Sequence, residues 1–104
     1  MTEWVNVAPT SELTAGTRKV VFTEIGPIAV FNLADEFFAI EDVCTHDGGE
    51  LASGVLDGDQ IICPRHGSRF CIRTGKVLSP PAYEDIAIFQ TRIEKETLQV
   101  NIES

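Results

Sequence analysis

Basic residues are scarce in this chain. Eight Lys and Arg stand against sixteen Asp and Glu, for a formal charge of −8. That deficit argues against nucleic acid and anionic membrane surfaces as partners, since both need a basic face. Long apolar runs are missing too; none approaches the roughly 18 residues of a membrane span. The opening residues Met1-Thr2-Glu3-Trp4-Val5-Asn6 have no basic start and no apolar stretch, so no secretory signal is expected. Cysteine is sparse and odd in number, three in all, which argues against a disulfide framework and for a reducing cytoplasm. Linkers and repeats are absent, and the length suits one domain over residues 1–104.

Helical periodicity is also lacking, apart from a single turn near Ser11–Leu13. Short segments rich in Val, Ile and Phe are present instead: Arg18–Phe22, Ile28–Leu33, Phe37–Glu41, Gln60–Cys63, Ser68–Ile72, Ile86–Arg92 and Leu98–Ile102. Turn signals punctuate them at Gly26-Pro27, Asp57-Gly58, Thr74-Gly75 and Pro80-Pro81. In the last segment Leu98, Val100 and Ile102 alternate with Gln99, Asn101 and Glu103, the period of a half-buried strand. Asp57-Gly58, between Val55-Leu56 and Ile61-Ile62, predicts a tight hairpin. The expected fold is all-β, a small antiparallel sandwich or barrel.

Histidine occurs only twice, and both copies sit beside cysteines, in Cys44-Thr45-His46 and Cys63-Pro64-Arg65-His66, sixteen residues apart. Each segment pairs a thiolate with an imidazole and falls at a strand end, after Phe37–Glu41 and at the close of Gln60–Cys63. Gly48, Gly49 and Gly67 follow the ligands and let the backbone turn closely around a metal centre, where N–H groups released from the sheet can point at sulfur. Four donors so arranged fit a [2Fe–2S] centre with two Cys on one iron and two His on the other. Neutral imidazoles in place of two thiolates remove negative charge, which lifts such centres to about −150 to +300 mV, against about −400 mV for all-thiolate plant-type ferredoxins. A histidine ligand also leaves a ring nitrogen that can carry a proton. The competing reading is a zinc-stapled interaction module, although zinc fingers usually pair like ligands. A Cys/His nucleophile needs fewer donors than converge here.

At these residues the chain resembles the Rieske-type ferredoxins. The likeness runs through Cys44-Thr45-His46-Asp47-Gly48-Gly49 and Cys63-Pro64-Arg65-His66-Gly67-Ser68-Arg69-Phe70 to Thr74-Gly75-Lys76-Val77 and Ser79-Pro80-Pro81-Ala82. It implies a β sandwich with a cluster-binding subdomain built from loops at about 43–51 and 63–70. The later segments resemble the ferredoxin components of bacterial aromatic-ring dioxygenase systems. That implies a non-catalytic carrier passing single electrons from a flavin-dependent NAD(P)H ferredoxin reductase to a terminal Rieske oxygenase. Respiratory Rieske proteins add two disulfide-forming cysteines, where this chain has Gly49 and Arg65, and a membrane anchor. A terminal oxygenase needs a further site of two His and a carboxylate, and both histidines here are already committed. Alternative settings are the small Rieske subunit of an assimilatory nitrite reductase, or a Rieske protein of another redox or cluster-assembly system.

Other residues divide between chemistry and packing. Ser68 is expected to donate its hydroxyl to a bridging sulfide; Phe70 stands where respiratory Rieske proteins place a Tyr. Pro80 and Pro81 are expected to form a rigid loop on a third side of the cluster, and Gly48 and Gly67 to serve backbone geometry. Cys71, after Phe70 in a strand pattern, reads as a small packed residue. Trp4 is expected in the core. Asp47 and Arg65 read as solvated charges.

Overall fold

A computed structural model of the chain describes residues 3–45 and 48–102. Ten strands are found there: β1 (Trp4–Pro9), β2 (Arg18–Thr23), β3 (Gly26–Leu33), β4 (Glu36–Glu41), β5 (Val55–Asp57), β6 (Gln60–Ile62), β7 (Arg69–Cys71), β8 (Ile88–Phe89), β9 (Thr91–Glu94) and β10 (Thr97–Asn101). The expected helical turn is a 3-10 turn over Thr10–Glu12. All pairings are antiparallel, in sheets ordered β1-β10-β9, β2-β3-β4-β8 and β5-β6-β7.

Alternation along β3 explains how the sheets stack. Ala29, Phe31 and Leu33 enter one apolar cluster, with Ile40, Leu51, Ile61, Phe70 and Ile72. Ile28 and Val30 enter another, with Val7, Leu98 and Val100. Successive side chains of a strand point to opposite faces, so the four-stranded sheet is covered on both. The β1-β10-β9 sheet packs on one face; β5-β6-β7 and its loops pack on the other. The strand Ile28–Leu33 therefore reads as an almost unbroken apolar run.

Three local expectations are corrected. Ile86–Arg92 is not one strand: β8 pairs with β4, and β9 pairs with β10 after the chain changes sheets at Gln90. Trp4 is not a core residue; it is half-buried on β1, with the Arg92 guanidinium 4.2 Å from its ring centroid. Cys71 is half-buried rather than packed away, because it faces opposite to the fully buried Phe70 along β7. The Asp57-Gly58 hairpin stands: Asp57 pairs with Gln60, and Gly58 has φ +62°.

Candidate metal centre

Cys44 follows β4 and Cys63 follows β6, so both ligand segments begin where a strand ends. Both thiols are buried, at 0% and 1% exposure, in the apolar cluster that also holds Leu51, Phe70 and Ile72. Pro64, Arg65, His66 and Gly67 are exposed. The second segment thus carries its sulfur inward and its imidazole to the surface. His46 and Asp47 lie outside the described residues.

The two loops share one backbone design. The Cys44 amide donates to the Gly49 carbonyl at 2.6 Å, and the Gly48 amide returns to the Cys44 carbonyl at 2.8 Å. In the second loop the Cys63 amide donates to the Ser68 carbonyl at 2.7 Å, and Gly67 returns to Cys63 at 3.0 Å. Gly48 and Gly67 have φ of +77° and +79°, the left-handed region that glycine adopts without steric cost. A third loop repeats the pattern from Cys71, whose amide donates to Lys76 at 2.9 Å while Gly75, φ +77°, returns at 2.7 Å. The sequence signal of this design is Cys-x3-Gly, which occurs three times, at Cys44, Cys63 and Cys71. In the third copy Arg73 and Thr74 occupy the places where the other loops carry His.

Residues 79–86, which include the cis Pro80-Pro81 peptide, lie against both loops. Thr45 Oγ1 donates to the Glu84 carbonyl at 2.7 Å, and the Ala82 amide donates to Ser68 Oγ at 3.1 Å. This stretch therefore bridges both loops. Ser68 is fully buried and accepts with its oxygen, so its hydroxyl proton is left to be donated. Leu78 and Tyr83 beside it are exposed, Tyr83 at 87%.

Charges nearby brace the scaffold. Arg73 donates to Glu36 at 2.8 Å and lies 3.5 Å from Asp59, with its guanidinium over Phe38. The hydrogen bond that it donates to Glu36 holds the Arg73 pKa above its usual value. Glu50 receives the Ser53 hydroxyl and amide, and that hydroxyl bond lowers its pKa.

The donor set fits a binuclear iron–sulfur centre. Two buried thiols would suit one iron as thiolates, and imidazole at an exposed loop would suit the other. No three His, Cys, Asp or Glu side chains gather around one point among the described residues. A centre that divides its ligands between two irons does not require them to.

The Rieske [2Fe–2S] domain family matches residues 3–90. The ferredoxin CarAc of Metapseudomonas resinovorans is 37% identical over 98 residues, covering 93% of this chain and 92% of its own. The biphenyl dioxygenase ferredoxin subunit of Pseudomonas sp. (strain KKS102) is 41% identical over 91 residues, covering 86% and 84%. Among solved structures, the complex of reduced oxygenase and oxidized ferredoxin in carbazole 1,9a-dioxygenase includes a chain with TM-score 0.89 and 35% identity. The match covers 94% of this chain and 92% of that one. With this match the zinc module falls away as a reading. The chain belongs to the Rieske [2Fe–2S] family, and to its electron-carrying ferredoxins.

Proposed function

We propose that this chain takes single electrons from a flavin-dependent NAD(P)H ferredoxin reductase and delivers them to a terminal ring-hydroxylating Rieske oxygenase. Cys44 and Cys63 would hold one iron of the cluster, and His46 and His66 the other. The bound cluster supplies a one-electron couple whose potential follows its charge, hydrogen bonds and exposure. The protein folds as one domain over 1–104 and works in the cytoplasm. No helix of the described residues is long and apolar enough to cross a membrane.

One observation carries the reading: matched Cys–Gly loops bury both thiols while the second leaves His66 exposed. Buried thiols keep water and oxidants from the sulfur ligands. An exposed imidazole gives a partner protein its closest approach. Ser68, whose Oγ accepts from Ala82, has a hydroxyl proton that would go to a cluster sulfur, and Gly48 and Gly67 let each loop close.

The test is an assay in air-saturated buffer with purified reductase, oxygenase, NAD(P)H, O2 and the oxygenase's aromatic substrate. Product should form only when this chain is present. It should vanish with Cys44→Ser or Cys63→Ser, whose visible absorption is also lost. Product at full rate without the chain, or with a bleached variant, would remove the carrier role.

A further inference from the structure

The two ligand loops stand on different supports. Residues 63–68 form the tip of a hairpin whose strands pair at Ile62 and Arg69, so a sheet ladder grips both ends. The loop bearing Cys44 leaves β4 at Glu41 and reaches its next strand only at Val55. One side chain closes its neck. Asp42 is 6% exposed, and its Oδ1 accepts the Leu51 amide at 2.7 Å and the Ala52 amide at 2.8 Å. Its own amide donates to the Pro27 carbonyl at 3.0 Å, which pins the neck to the start of β3.

The far side of the same node is held from β2. Arg18 Nη1 donates to the Ala52 carbonyl at 2.7 Å and to the Gly54 carbonyl. The Ala52 residue is thus gripped at its N–H by Asp42 and at its C=O by Arg18. Gly54 completes the node: a Cβ there would lie 2.0 Å from the Ile62 carbonyl oxygen, so this turn sits directly against the strand leading to Cys63.

We infer that Asp42 is the positioning residue for the Cys44 half of the centre, with Arg18 as the second hold on the same node. The inference rests on the ligand assignment proposed above. A short side chain with a terminal oxygen suits the place because one acceptor reaches both amides. Leu51 and Ala52 are buried, so losing the acceptor strands two N–H groups away from water. The loop must then open to hydrate them, and Cys44 moves with it.

The test uses the as-isolated holoprotein with Asp42→Asn, Asp42→Ala and Arg18→Gln. Iron and labile sulfide, the EPR spectrum after dithionite, bleaching in excess chelator, and thermal melting are measured. Asp42→Ala should bleach about tenfold faster or more, within the range seen when groups supporting metal ligands are removed, and its EPR line shape should change. Asp42→Asn keeps an oxygen acceptor at the same place, so its bleaching should stay within about threefold of wild type with an unchanged spectrum. Wild-type bleaching in Asp42→Ala overturns the inference, as does Asp42→Asn failing like Asp42→Ala. A lowered melting temperature with an unaltered line shape assigns Asp42 to general stability and also overturns it. Should Asp42→Ala not fold, Arg18→Gln decides: faster bleaching at a wild-type melting temperature supports the node, and wild-type bleaching refutes it. A wild-type protein without a Rieske spectrum is a different failure, that of the ligand assignment.

Discussion

Cys71 and Cys44 begin loops of the same backbone design, yet their thiols live in different surroundings. Cys44 is fully buried in the cluster that holds Cys63, whereas Cys71 is half-buried on the other face of β7 from Phe70. Cys71→Ser should therefore retain iron content and visible spectrum, while Cys44→Ser loses both. Bleaching in the first and not in the second would reverse the assignment. Ser68 and Phe70 test a finer point. Donors to the sulfur atoms raise the potential, because the reduced centre carries the extra negative charge. With Ser68 Oγ fixed by Ala82, Ser68→Ala should lower the midpoint. Phe70 is fully buried in the same apolar cluster as Cys44 and Cys63, so Phe70→Tyr should raise it if the new hydroxyl reaches sulfur. Protein-film voltammetry reads both shifts, and two unchanged midpoints would assign the tuning to backbone donors and exposure. The paired Cys and His segments were legible in the sequence because soft donors at fixed spacing are rare. Asp42 was not: its role depends on Leu51 and Ala52 returning to it, which no local pattern announces.

Turns built on glycine differ in what surrounds them. Gly58 and Gly75 both have positive φ, +62° and +77°. A Cβ on Gly58 meets nothing within 4 Å, whereas one on Gly75 would lie 2.2 Å from the Ile86 carbonyl oxygen. Gly58→Ala should cost about 1–2 kcal/mol, the usual penalty of the left-handed region for a residue with a side chain. Gly75→Ala must in addition push back a backbone that Ile86 closes by donating to the Gly75 carbonyl at 2.8 Å. Its melting temperature should fall well below that of Gly58→Ala; equal losses would mean the Ile86 segment yields freely. Most strands were legible from alternation and Gly or Pro punctuation. β1 was missed, and its ladder shifts register between Asn6 and Ala8, so that consecutive Val7 and Ala8 are both buried. The β3–β4 and β9–β10 turns use Ala34-Asp35 and Lys95-Glu96, all at positive φ and none a glycine. Asp35 is helped by a 2.8 Å bond from its amide to Asn32 Oδ1, a contact invisible to turn statistics. The switch between sheets at Gln90 carries no breaker either; it is fixed by the Asn101 amide donating to its carbonyl at 2.9 Å.

At the scale of the whole molecule, the acidic surplus shapes the approach of partners. Several of the eight basic residues are already engaged within the fold: Arg69 with Asp57, Arg73 with Glu36 and Asp59, Arg18 with two carbonyls, and Arg92 on Trp4. Such exposed pairs add little stability, but they leave most carboxylates to set the outer field. A partner with a basic rim around its own redox centre is drawn toward this chain, and steering of this kind raises association rates by about 10- to 1,000-fold. Screening acts over about 8–10 Å at physiological salt, so the attraction should weaken steeply as salt is added. In stopped-flow mixing with the reduced reductase, the second-order rate constant should fall as NaCl rises from low concentration to about 0.5 M. The first-order limit at saturating partner should move little, because electron transfer inside the docked pair depends on distance rather than on encounter. A second-order constant indifferent to salt would remove the steering argument and leave the charge of −8 with solubility as its only consequence. A first-order limit that fell in parallel would instead show salt deforming the docked pair, so the two constants separate long-range attraction from contact geometry.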